Sequence, residues 1–258
     1  MAKQLISYIN FNRGRNGNSS ADVLLPSELR EATNIILMPR GGYHQRKGYS
    51  AAIEESLGDN PVTAMINYPG SPLAVVGTDL VKWDGTVVKS GLSSGDIAWE
   101  YFTNSKLYFS DGTQYYVYDG TNVTEVAPAS GADLTNVKKC KVLIQRGQRM
   151  FAMGDGTNMI YYSATGEPNN FTSTQAIKAI SEDLYNPVAA AVFGDALIVF
   201  KRNSVYSYTG WDPQNDVQFK PVRVHDGTRS PKSVCAANDY LMYLGDDAII
   251  ALTVVDAA

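Results

Sequence analysis

Residues 104–121 read N-S-K-L-Y-F-S-D-G-T-Q-Y-Y-V-Y-D-G-T and predict two β-strands joined by a tight turn, with a second turn at the end. The Asp-Gly pair favours a two-residue hairpin turn, because glycine accepts the positive φ that such a turn requires. The flanking Tyr, Phe and Val residues suit a half-buried, pleated surface. The local unit is therefore a β-hairpin rich in aromatic residues.

Cruder copies of this hairpin recur along most of the chain. Their equivalent apolar positions are Leu73, Leu107, Met150, Leu197 and Leu241, separated by 34, 43, 47 and 44 residues. A period of about 40 to 45 residues with several short strands per unit is typical of β-propeller blades. One blade cannot cover its own apolar faces, so neighbouring blades must stack around an axis. The sequence predicts an all-β fold, a β-propeller of about five four-stranded antiparallel blades.

Turn motifs set the register of the first two blades, and the fifth blade is short of one strand. W-D-G-T at 83–86 and Y-D-G-T at 118–121 match at an offset of 35 residues. The fifth unit offers three strands, the last being A-I-I-A-L-T-V-V at 248–255. Because an open sheet edge invites unwanted pairing, we expect an N-terminal strand at 5–11 to complete this blade. The alternative is an incomplete ring, finished by a neighbouring subunit or by further chain.

Residues 1–60 form a separate N-terminal segment in this interpretation, and residues 61–258 form the blades. P-S-E-L-R-E-A-T at 26–33 predicts a short helix, with Ser27 as its cap and acidic residues in its first turn. N-I-I-L-M-P at 34–39 predicts a strand, and Y-H-Q-R-K-G-Y-S at 43–50 predicts its return strand with a basic face. We expect this segment to dock onto a partner.

The charge is unevenly distributed along the chain. Residues 1–50 carry seven Lys and Arg against three Asp and Glu, whereas residues 51–258 carry fifteen against twenty-three. An acidic body argues against the whole fold being a nucleic-acid binder. The basic cluster is either a solvated loop or a contact with a neighbouring subunit or threaded DNA. Its residues are Arg13, Arg15, Arg40, His44, Arg46 and Lys47.

The two cysteines, Cys140 and Cys235, have no metal-ligand spacing and lie beside apolar strand residues. We expect two buried free thiols, as in a protein that folds in a reducing cytoplasm. No apolar run approaches the ~18 residues needed to span a bilayer. The N-terminal residues also lack the pattern of a signal peptide. These features predict a soluble chain without a membrane anchor, synthesised in a reducing cytoplasm.

Five Asp-Gly-Thr triplets are the main candidates for chemistry. They could bind calcium or supply the acid pair of a glycosidase, but a hairpin turn alone explains each of them. The two histidines fit no zinc pattern, and no Ser or Cys lies in a nucleophile elbow. We therefore predict a protein that is not an enzyme and needs no cofactor or metal. The triplets begin at Asp84, Asp111, Asp119, Asp155 and Asp226.

Three tryptophans are candidates for stacking against a sugar. They are Trp83, Trp99 and Trp211. Packing inside the protein or at a blade edge is the more usual role for such residues. Trp211 is the residue that we select as a ligand-stacking candidate.

The order of motifs resembles the virion propellers of tailed bacteriophages, including the nozzle-like proteins of short tails. The resemblance begins with I-N-F-N-R-G-R-N-G-N at 9–18 and S-E-L-R-E-A-T-N-I-I-L-M-P-R-G-G-Y-H-Q-R-K-G-Y at 27–49. It continues with R-G-Q-R-M-F-A-M-G-D-G-T-N-M-I-Y-Y-S-A-T-G-E-P-N-N-F at 146–171 and the two units that follow. The chain departs from this family in being shorter, which bears on ring closure and on any receptor-facing tip.

The resemblance implies a structural role in the virion. Copies of the chain would form a ring in the neck or tail, connecting head-proximal and distal tail parts along the DNA path. The implied partners are further copies of the chain, other neck and tail proteins, and threaded viral DNA. Two alternatives remain: a carbohydrate- or receptor-binding propeller module of the tail and, less favoured, a glycan hydrolase that uses acids from the Asp-Gly turns.

Overall fold

The computed structural model describes residues 13, 15–16, 18, 23–25, 28–29, 31, 33–37, 43–48, 59–178, 185–210, 212–213, 215, 219–224 and 226–253. The chain divides into two compact units, Met1–Glu54 and Glu55–Ala258. Among its described residues, the smaller unit has an antiparallel hairpin made of β1 (Ile35–Leu37) and β2 (Tyr43–Gln45). The strand predicted at 34–39 and its return strand are confirmed over these described residues.

The helix predicted at 26–33 is wrong, because its described residues are not helical. Leu29 forms an isolated parallel bridge with Arg15, and its carbonyl accepts a 2.8 Å hydrogen bond from the backbone N–H of Asn16. The carboxylate of Glu28 accepts 3.2 Å hydrogen bonds from the Asn16 side chain and the Leu25 backbone N–H. The segment therefore runs extended beside Arg15 and Asn16, and these hydrogen-bonding groups do not take part in a helix.

The larger unit begins with a four-stranded sheet, called the first sheet. It consists of β3 (Val62–Ile66), β4 (Leu73–Val76), β5 (Asp79–Lys82) and β6 (Val87–Lys89). Each strand pairs antiparallel with the next one along the chain. This up-and-down order follows from short connections, which leave consecutive strands adjacent.

The second sheet has the same order. Its strands are β7 (Ala98–Phe102), β8 (Lys106–Ser110), β9 (Tyr115–Tyr118) and β10 (Val123–Glu125). The two turn motifs matched in the sequence each connect the third strand of a sheet to the fourth. W-D-G-T joins β5 to β6 in the first sheet, and Y-D-G-T joins β9 to β10 in the second. Their predicted equivalence is confirmed.

The third sheet contains a strand that the sequence did not indicate. Its members are β11 (Val142–Arg146), β12 (Arg149–Met153), β13 (Met159–Tyr162) and β14 (Ala176–Lys178). β14 has three residues, A-I-K, and pairs with β13 after a long connection. A segment this short has too few residues to show a period-two pattern.

The fourth sheet is the most completely buried. Its strands are β15 (Ala189–Phe193), β16 (Ala196–Phe200), β17 (Ser204–Tyr208) and β18 (Phe219–Val224). Every residue of β16 and β17 is buried. The outermost strand, β18, includes Pro221, which an edge strand tolerates because its missing N–H can face away from the ladder.

The fifth sheet has three described strands. They are β19 (Cys235–Ala237), β20 (Tyr240–Leu244) and β21 (Ile249–Thr253), in that order. This agrees with the three strands predicted for the last unit. The N-terminal strand at 5–11 lies outside the described residues, so closure of the last blade remains a prediction.

Successive sheets pack face to face through aromatic and aliphatic side chains. One cluster joins the first and second sheets, and equivalent clusters join each later pair. The five positions that set the sequence repeat all lie on the second strand of their sheet, and each is 0–1% exposed. Across the described residues, helical structure is limited to two 3-10 turns, Val137–Lys139 and Pro231–Ser233. The fold is all-β and propeller-like, as predicted.

The Asp-Gly turns of the second sheet are looser than the two-residue turns predicted for them. Ser110 pairs with Tyr115, and Tyr118 pairs with Val123, so each loop has four residues. Glycines 112 and 120 have φ of 92° and 100°. Two-residue turns occur elsewhere, for example between Arg146 and Arg149. The aspartate side chains explain the longer loops, as described below.

The cysteine prediction holds for one residue and fails for the other. Both thiols are free, with Cys140 buried and Cys235 exposed. Burial raises the pKa of the Cys140 thiol well above its ordinary value. Cys235 begins β19 and pairs with Met242, which places it on the face of the fifth sheet that no other described sheet covers.

Candidate functional site

The predicted basic residues lie in the smaller unit, and those that the structure describes are exposed. Arg13 and Arg15 line a shallow depression together with Asn16, Asn18 and Glu28. His44 lies on β2, where its Nδ1 is 3.0 Å from the carbonyl oxygen of Gln45.

Arg46 and Lys47 follow β2 directly, and Arg40 lies outside the described residues. Among the described residues, the depression brings together the two N-terminal arginines but not the hairpin residues. The five described residues are therefore seen as two exposed groups, and the role of the six predicted residues as a docking or DNA-contacting surface stays a prediction.

Four of the five Asp-Gly-Thr carboxylates are used by their own turns. Asp84 and Asp155 each accept a 2.9 Å hydrogen bond from the backbone N–H two residues later. Asp119 accepts 2.8 Å hydrogen bonds from both Thr121 and Asn122. These are Asx turns, in which a short carboxylate side chain caps the loop.

Asp111 is the most strongly held of these carboxylates. It is 2% exposed and accepts hydrogen bonds from the backbone N–H groups of Ser93, Thr113 and Gln114. Burial alone would raise the pKa of Asp111, but these hydrogen bonds outweigh it and lower the pKa below its ordinary value. The contact with Ser93 also ties the second sheet to the connection that precedes it.

The fifth triplet is different. The carbonyl of Asp226 accepts a 2.8 Å hydrogen bond from the Tyr243 hydroxyl, and its carboxylate lies 3.6 Å from Arg223. A side chain at Gly227 would lie 2.1 Å from the carbonyl oxygen of Lys201, so only glycine allows this approach. The triplets therefore have turn and packing roles, which fits the structural interpretation better than an acid pair.

Two neighbouring residues of β11 tie the third sheet to the sheets on either side. Gln145 Oε1 accepts a 2.9 Å hydrogen bond from the backbone N–H of Thr103, in the second sheet. Arg146 donates hydrogen bonds of 2.6–2.9 Å to the carbonyls of Asp195, Thr209 and Gly210, in the fourth sheet. Its guanidinium also lies 5.2 Å from the centre of the Tyr208 ring.

Glu100 is an acid placed between two sheets. It lies on β7 opposite Tyr108, facing the cluster that joins the second and third sheets. Burial raises the pKa of Glu100 to about 7, and hydrogen bonds from the backbone of Gln145 and Tyr101 offset only part of this effect. Near neutral pH this side chain therefore exchanges between neutral and charged forms.

A cavity of about 920 Å³ lies where the first strands of several sheets begin, and we call these first strands (β7, β11, β15 and β19) the inner strands. Segments of the second, third, fourth and fifth sheets form its walls, and we call it the hub cavity. The residue that leads into an inner strand is repeatedly part of its lining, as Asp96, Lys141 and Asn186 show. The apolar part of the wall comes from Ile97, Ala98, Val142, Leu143, Val188 and Ala189.

The charged residues of the hub cavity include two ion pairs. Lys232 lies 3.0 Å from Asp96, so the fifth sheet is joined to the start of the second. Arg229 lies 2.8 Å from Asp246. Lys139 and Lys141 are exposed in the same wall and form no ion pair within the described part of the chain.

One of the three predicted stacking residues lies in this cavity. Trp99 is 37% exposed and lines the hub cavity, whereas Trp83 is half-buried in the turn between β5 and β6. Trp211, the residue selected from the sequence, lies outside the described residues. Sequence reasoning missed the cavity because its residues come from four different repeats. The shared position just before each inner strand is the signal that could have revealed them.

The fifth sheet presents an uncharged face to solvent. Tyr240, Met242 and Leu244 of β20 pair with Thr253, Ala251 and Ile249 of β21. All six side chains therefore lie on one face of the sheet. Tyr240, Leu244 and Ile249 are 48%, 44% and 70% exposed. Exposed apolar surfaces of this kind mark interaction sites. We call these residues, together with Cys235 and Ala237 of β19, the outer face of the fifth sheet.

Neither a metal centre nor a membrane-spanning element is found in the described ranges. No group of three His, Cys, Asp or Glu side chains there is arranged to hold a metal ion. Likewise, none of the helical segments described is long and apolar enough to cross a membrane.

Comparison with known proteins supports the fold alone. No protein-family model and no curated protein matches the sequence. One similar structure is an extracellular domain assigned to a hybrid two component system of B. thetaiotaomicron, with a TM-score of 0.55, 10% identity and coverage of 84% of this chain and 31% of that one. Another is a protein described as a 6-phosphogluconolactonase from Bacteroides uniformis, with a TM-score of 0.53, 12% identity and coverage of 87% and 74%. The chain thus spans less than a third of the first of these structures, and the likeness establishes a propeller-like β fold.

Proposed function

We propose that the chain is a structural subunit of a tailed-bacteriophage virion, which assembles with further copies of itself in the neck or tail. The observation that carries the proposal is the outer face of the fifth sheet. This face is uncharged, and three of its large apolar side chains are 44–70% exposed. Burying such a surface against a second copy would supply a driving force for association, and contact with a different face of that copy would give a ring.

The motif order of the N-terminal and central segments supports the phage part of this proposal. The exposed arginines and lysine of the smaller unit supply a basic surface that suits docking or contact with viral DNA. The turn roles of the Asp-Gly-Thr carboxylates favour a structural protein over a glycan hydrolase. The proposed mechanism is therefore association of subunits, without catalytic turnover.

A sedimentation experiment tests the assembly. Wild-type protein is expected to form a discrete oligomer, and a Leu244→Asp/Ile249→Asp double variant is expected to be monomeric, because two buried charges would oppose association. Val192→Asp is the matched control, since Val192 is 38% exposed and belongs to β15 of the fourth sheet. A monomeric wild-type protein, or equal effects of both variants, would contradict the proposal.

The native cysteines give a second measurement. Cys235 lies on the outer face and is exposed, whereas Cys140 is buried. A maleimide reagent should label Cys235 in the monomeric double variant and be blocked in the wild-type oligomer. Mass spectrometry of purified tailed-phage particles from the same source tests the virion role, and absence of the chain from those particles would argue against it.

A further inference from the structure

The hub cavity has the dimensions and lining of a small-molecule site. Its volume of about 920 Å³ lies within the ~300–1,000 Å³ typical of ligand pockets. Its wall combines apolar strand residues with a few polar side chains, which is the composition such pockets show. None of the residues that line the cavity belongs to the outer face of the fifth sheet, so ligand binding here can be tested apart from subunit assembly.

Trp99 supplies an aromatic surface in this wall. It lies on β7, and 37% of it remains exposed although its neighbours Ala98 and Phe102 are buried. An indole that is partly open to a cavity can stack against the apolar face of a ring-shaped ligand. Sugar rings offer such faces, since their axial C–H groups are apolar while their hydroxyls point outward.

The charge of the wall favours an anion. Four basic side chains, Lys139, Lys141, Arg229 and Lys232, face two acidic ones, Asp96 and Asp155, which gives the lining a formal charge of +2. The chain as a whole carries −4. Since Lys232 and Arg229 are in ion pairs, Lys139 and Lys141 are the basic groups that remain for a ligand within the described part of the chain.

Polar groups for hydroxyls are also in place. Asn186 donates a 2.7 Å hydrogen bond from its Nδ2 to the carbonyl of Gly156, which fixes the orientation of its amide. Asp155 is held by Thr157 and by the Tyr161 hydroxyl at 2.8 Å. Fixed side chains of this kind bind hydroxyl groups with less loss of conformational entropy.

We propose that the hub cavity binds an anionic saccharide, with one sugar ring on Trp99 and its acidic group at Lys139 and Lys141. Recognition needs both features, because stacking alone would admit neutral sugars and the lysines alone would admit any polyanion. The site would give the propeller a glycan-binding activity besides its structural role, whichever particle or assembly the chain belongs to.

Isothermal titration of the full chain tests this proposal. The probes are tetragalacturonate, a heparin tetrasaccharide and sialyllactose, with cellotetraose as the neutral sugar and inorganic triphosphate as the anion without a sugar. At least one acidic saccharide is expected to bind, and to bind at least about tenfold more tightly than either comparison probe. Failure of all three acidic saccharides, or equally tight binding of cellotetraose or triphosphate, would overturn it.

Matched variants locate the site. Trp99→Ala and Lys139→Gln/Lys141→Gln are each expected to weaken binding about tenfold or more. Trp83→Ala and Lys138→Gln are the controls, because Trp83 lies in a turn of the first sheet and Lys138, beside Lys139, faces a different depression. Binding unchanged in Trp99→Ala, with thermal unfolding equal to wild type, would remove Trp99 from the site and refute the proposal.

Discussion

The fourth and fifth sheets are built from the same repeat but differ in how many of their faces are covered. In the fourth sheet, Leu197 and Val199 pack on the third sheet, and Ile198 and Phe200 pack on the fifth. In the fifth sheet, the side of β20 that carries Leu241 and Tyr243 is covered, and the other side is exposed. A repeat with neighbours on both sides becomes a core element, whereas a repeat with a described neighbour on one side presents a surface available to a partner.

The largest expected difference between the two sheets is in the free energy of unfolding that is lost when a leucine is shortened to alanine. Leu197→Ala should lower the free energy of unfolding by about 2–5 kcal/mol, because Leu197 is fully buried. Leu244→Ala should lower it by about 0.5 kcal/mol or less in the monomeric state. Urea denaturation at low protein concentration measures both, and similar losses would mean that the outer face is covered within one chain.

A pH series tests whether the interior interfaces tolerate charge. Glu100 has an ordinary pKa of 4.5 that rises to about 7 in the fold, so the folded state holds its proton over a range in which the unfolded state has lost it. Its contribution to stability is therefore complete below pH 4.5 and is lost as the pH rises to about 7.

Glu100→Gln keeps an acceptor for the Gln145 N–H and removes the charge. We expect this variant to be more stable than wild type at pH 8, by at most about 3 kcal/mol, and similar to wild type at pH 4. Chemical denaturation at the two pH values gives the comparison. If the free energy of unfolding changes equally with pH in wild type and variant, the Glu100 carboxylate is solvated and the prediction is wrong.

Arg146→Met tests the tie between the third and fourth sheets. The variant keeps the apolar part of the side chain and loses three hydrogen bonds to the carbonyls of Asp195, Thr209 and Gly210. We expect a loss of about 2 kcal/mol in the free energy of unfolding. Arg229→Met is the control on the exposed side, where an ion pair with Asp246 contributes about 0–1 kcal/mol. Equal losses would contradict this distinction.

The smallest effects concern turns. Asp111→Ala should cost about 1–2 kcal/mol, since it leaves N–H groups of Ser93, Thr113 and Gln114 without an acceptor. Asp119→Ala should have a clearly smaller effect, because its loop is open to water. Thermal unfolding of the two variants side by side provides the measurement, and a larger shift for Asp119→Ala would refute the ranking.

The sequence predicted the repeat and the sheets well because burial acts on single positions that recur once in each unit. Leu73, Leu107 and Met150, for example, needed only to be apolar at equivalent places in each unit. The strand at 176–178 was missed because it is short and follows β13 only after a long connection, so hairpin spacing does not mark it. The helix predicted at 26–33 was wrong because the Glu28 carboxylate bonds to Asn16, a contact between separate parts of the chain that helix propensity does not describe.

The candidate sites were less accessible to sequence reasoning. Trp99 and Lys139 are 40 residues apart in the chain and line the same cavity only because two inner strands begin beside it. The exposure of Cys235 depends likewise on which face of the last sheet lacks a neighbour. The arrangement of the sheets brings these residues together, and no sequence motif indicates it.

The paired contacts of Gln145 and Arg146 have a mechanical consequence. Adjacent residues of one strand hold the turn of the sheet before it and two loops of the sheet after it. A pulling force on the second sheet is thereby passed directly to the fourth through β11. In a single-molecule stretching experiment, the three sheets should rupture together in one extension step, and Arg146→Met should split that step into two.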